Sequence, residues 1–172
     1  LLVQALIGMN CTKIGGNFVL KCFDTVTAIS AQTIYLLSLV FEHVVMFKPV
    51  TSRPANSERY IVCLNKIQLD PTVDDIMRSA ANAYTDNEYV SNLVDTLPAD
   101  FIEWLTTENN LSIRLQSTMA GYIIQYMRGV DFTMPKYNIP KFLTIWNLPD
   151  TPPFKAKGKF KKLLPGQTVF DI

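Results

Sequence analysis

The feature that most constrains this chain is a repeated change of hydrophobic period within its first 65 residues. Leu1 to Met9 carries apolar residues at helical spacing, Cys11 to Gly16 reads as a turn with paired glycines, and Asn17 to Cys22 is a short apolar strand. A helix follows over Thr27 to Glu42, then a strand from Val44 to Lys48, an irregular loop from Pro49 to Ser57, and a third strand from Arg59 to Leu64. Helices alternating with short apolar strands predict an α/β fold with a mostly parallel sheet covered on both faces. At 172 residues, 48% apolar and 18% charged, the chain is long enough for a proper core and excludes a collagen, coiled-coil or low-complexity reading. Ala28 to Phe47 approaches the length of a membrane span, but Gln32, Glu42 and His43 would be costly in lipid, and the period changes near Glu42.

Sixteen basic residues against fifteen acidic ones leave a formal charge of +1, so a polyanionic partner would have to be held by a local patch. Cys11, Cys22 and Cys63 form an odd, widely spaced set that fits reduced core thiols better than a disulfide framework or a zinc site. The lone His43 reads as a packing or capping residue rather than a metal ligand. Leu1 opens directly into an apolar helical pattern without a basic leader, which suggests a fragment whose true beginning is missing.

Beyond Asn65 the composition changes. From Lys66 to Glu108 nine acidic residues face only Lys66 and Arg78, and helical spacing recurs in Ile76 to Tyr84, Tyr89 to Leu97 and Phe101 to Leu105. Leu111 to Arg128 reads as a long amphipathic helix with Ile113, Leu115, Met119, Tyr122, Ile123 and Tyr126 as its buried stripe. Pro135, Pro140, Pro149, Pro152, Pro153 and Pro165 crowd the last forty residues, so the tail from Thr133 is expected to be extended or loop-like. Its Lys155, Lys157, Lys159, Lys161 and Lys162, interleaved with Phe154 and Phe160, read equally as an RNA-tracking arm or a solvated end.

Two clusters carry chemistry: GGNFVLKCFD (residues 15–24) and KPVTSRPANSERY (residues 48–60). Lys21 ends an apolar strand, where an ammonium must escape to the edge or meet a partner. With the first two strands parallel and a short return through Pro49 to Ser57, the third strand runs antiparallel to its neighbour, and its start meets the carboxyl ends of the others. Glu58 can then approach Lys21 at the edge where open α/β sheets bind ligands. Such a carboxylate raises the lysine pKa, so a base role for Lys21 needs a further positive neighbour.

The run GGNFVLKCFD, the helix after it and above all the loop TSRPANSERYIVC resemble the carboxyl-terminal part of the catalytic domain of cap-specific mRNA 2′-O-methyltransferases, the FtsJ/RrmJ-like family of eukaryotes and large DNA viruses. The resemblance covers residues 1–65 and implies a Rossmann-like sheet that uses S-adenosylmethionine and a Lys-Asp-Lys-Glu tetrad. By position Lys21 matches the second lysine, which activates the ribose 2′-hydroxyl, and Glu58 the final glutamate. The first lysine, the aspartate and the cofactor loop precede this segment in the family, so no cofactor-binding residue is assigned here; Gly15-Gly16 stands before a strand rather than after one. No metal is required.

On the same resemblance Ser52, Arg53 and Asn56 are expected to position RNA, Arg53 through its planar fork and the other two through hydrogen bonds; Lys48 and Arg59 are weaker candidates. The organisation implied is a methyltransferase segment over 1–65, an acidic helical extension over 66–132 and a basic proline-rich tail over 133–172. Capped mRNA is the expected partner, with other capping or transcription components, no membrane, and an intracellular setting: the nucleus for a cellular enzyme, host cytoplasm or virion for a viral one. The alternative is a catalytically inactive methyltransferase-like module that binds RNA or scaffolds a complex, and the SRPANSERY loop disfavours an rRNA methyltransferase of the same fold.

Overall fold

The computed structural model describes residues 1–49, 52–68, 70–86, 88–130 and 139–145. Helix α1 (Leu2–Cys11) leads into strand β1 (Phe18–Cys22), then α2 (Ala28–Ser38), β2 (Phe41–Phe47), β3 (Arg59–Lys66), α3 (Pro71–Thr85) and α4 (Ala99–Met127). These lie in one unit, Leu1–Phe132; a second, Thr133–Ile172, contains α5 (Ile139–Ile145). Start signals are local: the Thr27 hydroxyl accepts from Ser30 N–H, Asp70 accepts from Thr72 N–H with Pro71 behind it, and Pro98 stands at the start of α4 without a side-chain capping bond.

The sheet departs from the expected one. Its order is β1-β3-β2, and β3 pairs antiparallel with both neighbours, so among the described residues no two paired strands are parallel. β1 and β2 do run the same way, but the return through Pro49 to Ser57 inserts β3 between them. Nor do the described residues cover both faces. Leu20, Cys22, Met46, Ile61 and Cys63 point into a core with Ala5, Leu6 and Met9 of α1 and Ile34 and Leu37 of α2, whereas Val19, Val45 and Phe47 on the other face are exposed.

Other details correct the sequence reading. β2 begins at Phe41, not Val44, so His43 is an exposed strand residue 4.0 Å from Glu42 and neither packs nor caps. Tyr89 to Leu97 is not helical: the buried Gln32 side chain accepts from Leu93 N–H (2.6 Å) and donates to the Val94 carbonyl (2.9 Å), supplying partners a helix would otherwise provide. The tail is not wholly loop-like, because Pro140 sits in the first turn of α5, where its missing N–H is tolerated. Cys22 and Cys63 are buried free thiols, and Cys11 is free but exposed. Burial pushes the Cys63 thiol up to about 12, which makes it inert at neutral pH.

The segments expected at Phe101 to Leu105 and Leu111 to Arg128 form one continuous helix, α4, and the stripe is not buried. Phe101 and Trp104 pack toward Tyr35 of α2, and Leu105 and Ser112 are buried. Beyond them Ile113, Leu115, Ile123 and Tyr126 are exposed. No helix among the described residues is long and apolar enough to cross a membrane.

Candidate functional site

The site lies where β1 ends and β3 begins. In the β1–β3 register Lys21 stands opposite Tyr60, and Tyr60 stands opposite Phe47 of β2. Alternation along β1 buries Leu20 and Cys22 and turns Val19 and Lys21 outward, so Lys21 escapes the core because its neighbours fill it. Glu58, one residue before β3, reaches across: its Oε2 lies 2.9 Å from Lys21 Nζ. The Tyr60 hydroxyl donates to the other oxygen, Glu58 Oε1, at 3.2 Å. Lys21 Nζ also stands 5.3 Å from the centroid of the Phe23 ring, on the residue two beyond it.

The electrostatics follow from that geometry. The hydrogen bond from Lys21, with smaller help from Tyr60, holds the Glu58 carboxyl below its usual range. Reciprocally, the bond to Glu58 and its charge raise Lys21 above an ordinary lysine. Half of the Lys21 side chain is solvent-exposed, against 21% for Glu58. As it stands, the pair is a lysinium oriented by a carboxylate, free on its outer side to meet a hydroxyl or a phosphate oxygen.

Lys48, at the end of β2, organises the loop that delivers Glu58. Its ammonium donates to the Asn56 carbonyl (2.8 Å), the Asn56 Oδ1 (3.1 Å) and the Glu58 carbonyl (2.8 Å). Burial lowers its pKa, although the Glu58 charge opposes that shift. Elsewhere in the loop Ser52 N–H donates to the Pro49 carbonyl, and a turn from Arg53 to Asn56 is closed by Asn56 N–H donating to the Arg53 carbonyl. Of the three residues assigned to RNA, Asn56 thus has its side-chain oxygen engaged by Lys48, Arg53 is exposed, and the Ser52 hydroxyl is buried with no hydrogen-bond partner among the described residues. The structure brings Asn56 to Glu58 through Lys48; no described hydrogen bond links Ser52 or Arg53 to the Lys21–Glu58 pair.

Sequence reading missed Tyr60 and Phe23 as neighbours of the pair. The signal was there, since both stand two residues from a site residue and therefore on the same side of the chain. The paired glycines form no phosphate cradle. Gly15, at φ 75°, donates its N–H to the Lys66 carbonyl, Gly16 donates to Lys13, and the Gly16 carbonyl accepts from Lys66, so the turn closes onto the end of β3. Lys66 Nζ in turn donates to the carbonyls of Met9 and Thr12 at the end of α1. No cluster of metal-binding side chains occurs among the described residues. The tail lysines and Phe154 and Phe160 lie outside the described residues.

Residues 1–66 match the model of the FtsJ-like methyltransferase family. Beyond that segment the likeness continues. The cap-specific mRNA (nucleoside-2′-O-)-methyltransferase 1 of Homo sapiens is 33% identical over 187 residues, covering 100% of this chain and 22% of the human protein. The protein of the same name from Dictyostelium discoideum is 29% identical over 154 residues, covering 87% of this chain and 20% of its own length. The chain therefore spans about a fifth of the curated relatives it matches. The resemblance carried by GGNFVLKCFD and TSRPANSERYIVC is shown, on an α/β framework whose described sheet has three antiparallel-paired strands.

Proposed function

We propose that this chain is part of an enzyme that transfers a methyl group to a ribose 2′-hydroxyl near the cap of mRNA. The observation that carries the reading is the Lys21–Glu58 contact at the sheet edge. Lys21 holds the ribose hydroxyl on its exposed side and shares its proton, while Glu58, steadied by Tyr60, fixes the direction of the amine. Because Glu58 alone raises Lys21, deprotonation during attack needs a second cation, the role the resemblance gives to a lysine outside these residues. Arg53 and the Lys48-braced Asn56 position the RNA; the buried Ser52 hydroxyl is given no RNA contact.

S-adenosylmethionine is the methyl donor this reading implies. The Gly15–Gly16 turn does not offer its cradle, since the amides there are already bonded to Lys66 and Lys13. We therefore assign the donor to another part of the enzyme. The whole sheet is then Rossmann-like, with β1, β3 and β2 as one end of it. Capped mRNA is the partner and an intracellular compartment the setting.

One observation favours a second reading, an RNA-binding module without transferase activity: Lys21 is held as a cation. The same experiment separates the two. In the complete protein, Lys21→Ala lowers methyl transfer to capped RNA by about 10²- to 10⁴-fold while RNA binding is retained. Near-normal turnover by the variant overturns the assignment, and absence of transfer by the unaltered protein supports the binding module.

A further inference from the structure

Arg59 follows Glu58 in sequence, and its partner across the ladder, Cys22, follows Lys21. Lys21 faces Tyr60 across the ladder, and the next rung, Cys22 opposite Arg59, places a buried arginine on the opposite face, directly after Glu58. Arg59 is 5% exposed. Its Nη2 donates to Thr25 Oγ1 (2.9 Å) and to Asn109 Oδ1 (2.7 Å), and its Nη1 to the Glu108 carbonyl (3.2 Å). Thr25 Oγ1 itself donates to Asn109 Oδ1 at 2.7 Å. Among the described residues no carboxylate pairs with this guanidinium, and its Nε has no acceptor.

A buried charge met only by neutral oxygens is an expensive way to attach a helix, because desolvation works against it. What distinguishes this arrangement is what it joins. Thr25 belongs to the segment leaving β1 four residues after Lys21, Arg59 to the strand entered from Glu58, and Glu108 and Asn109 to α4. Three pieces of chain remote in sequence meet at one planar group, and the first two carry the site. A guanidinium fork sets both the distance and the angle between the groups it holds. Lys48 restrains the Glu58 carbonyl on the loop side; Arg59 restrains the strand on the helix side.

We propose that Arg59 and Asn109 form a buried clasp through which α4 fixes the spacing of Lys21 and Glu58. They are positioning residues, and the acidic helical extension supports the site. The proposal rests on the methyltransferase reading of that pair, and its test is arranged so that the two can fail separately.

In the complete protein, Asn109→Leu removes the oxygen that accepts from both Arg59 and Thr25, whereas Asn109→Asp keeps it. The expected result for Asn109→Leu is a kcat lowered about 10- to 100-fold with the KM for capped RNA changed less than about threefold. The NMR titration midpoint of the Glu58 carboxyl moves up toward an ordinary glutamate as its contact with Lys21 loosens. Asn109→Asp restores both. Thr25→Val removes the β1-side oxygen and is the second probe should Asn109→Leu fold poorly; it carries the same signature. An unchanged kcat and Glu58 midpoint, a loss that Asn109→Asp does not restore, or a loss that follows only the fraction of folded protein overturns the clasp. Lys21→Ala is measured alongside: if it turns over normally, the reading of the site has failed, and if it is inactive while Asn109→Leu is unaffected, only the clasp has.

Discussion

Helix α2 and the second half of α4 carry the same kind of apolar spacing and meet opposite fates. α2 buries Ile34, Leu36 and Leu37 at 1% exposure or less, whereas Ile113 and Ile123 of α4 stand 54% and 49% exposed. The difference comes from what the chain does before and after each helix. α2 joins two strands of one sheet, so its connections hold it against the sheet face. Among the described residues the buried positions of α4, Leu105 and Ser112, lie in its first half, and its 29 residues rise about 44 Å, whereas the eight residues of β3 span about 26 Å. A helix that long runs past the length of the strand beside the site. Periodicity encodes that a helix forms and which stripe is apolar, and the connections decide whether that stripe finds a cover.

The largest effect that would break this comparison is a pair of truncations. Leu37→Ala empties a fully buried site and should cost about 2–5 kcal/mol in urea unfolding of this chain, whereas Ile123→Ala should fall within about 0.5 kcal/mol of the unaltered protein. A comparable cost at both positions would mean that the end of α4 packs as α2 does.

Glycine sharpens the same contrast at smaller scale. Gly8 of α1 lies so close to the Phe18 ring that a Cβ would overlap it, while a Cβ at Gly121 of α4 meets nothing within 4 Å. Gly8→Ala should therefore destabilise by about 1–3 kcal/mol, and Gly121→Ala should stabilise by up to about 1 kcal/mol through helix propensity alone. Thermal unfolding of the two variants reads the opposite signs directly, and a stabilising Gly8→Ala would show that α1 and β1 are not in contact.

What could be read from the sequence divides along the same line. Local signals placed α1, β1, α2 and β3 close to their observed bounds, because period and capping are properties of neighbouring residues, whereas α3 and α4 begin five and twelve residues before the expected starts at Ile76 and Leu111. The meeting of Lys21 with Glu58 was legible too, since it needs only strand direction and the shortness of the loop between β2 and β3. The central place of β3 was not: a short return joins adjacent strands whichever side the third lies on. The Arg59–Thr25–Asn109 contacts were also hidden, as polar partners 34, 50 and 84 residues apart leave no periodic trace. Gln32 misled for the same reason, holding the backbone of Leu93 and Val94 out of a helix from 61 and 62 residues away.

The smallest effect concerns the pair that matters most chemically, and its sign can be worked out. Glu58 titrates below its ordinary 4.5, so the contact's contribution is present above about that pH and is lost as pH falls through the depressed value. Lys21 titrates above its ordinary 10.5, so its contribution is present below that pH and is lost as pH rises through the raised value. Between roughly pH 5 and pH 10 the two limits leave a plateau, on which Glu58→Gln should lower stability by a small, constant amount, because both groups are open to solvent and screened by salt. Below the depressed Glu58 value the difference between variant and unaltered protein should vanish. Urea midpoints measured across pH 2 to 9 at low and high salt check this. A difference that persists undiminished in acid would show that Glu58 acts through its bond with Tyr60 rather than through Lys21, and the candidate site would then lose the electrostatic link that defines it.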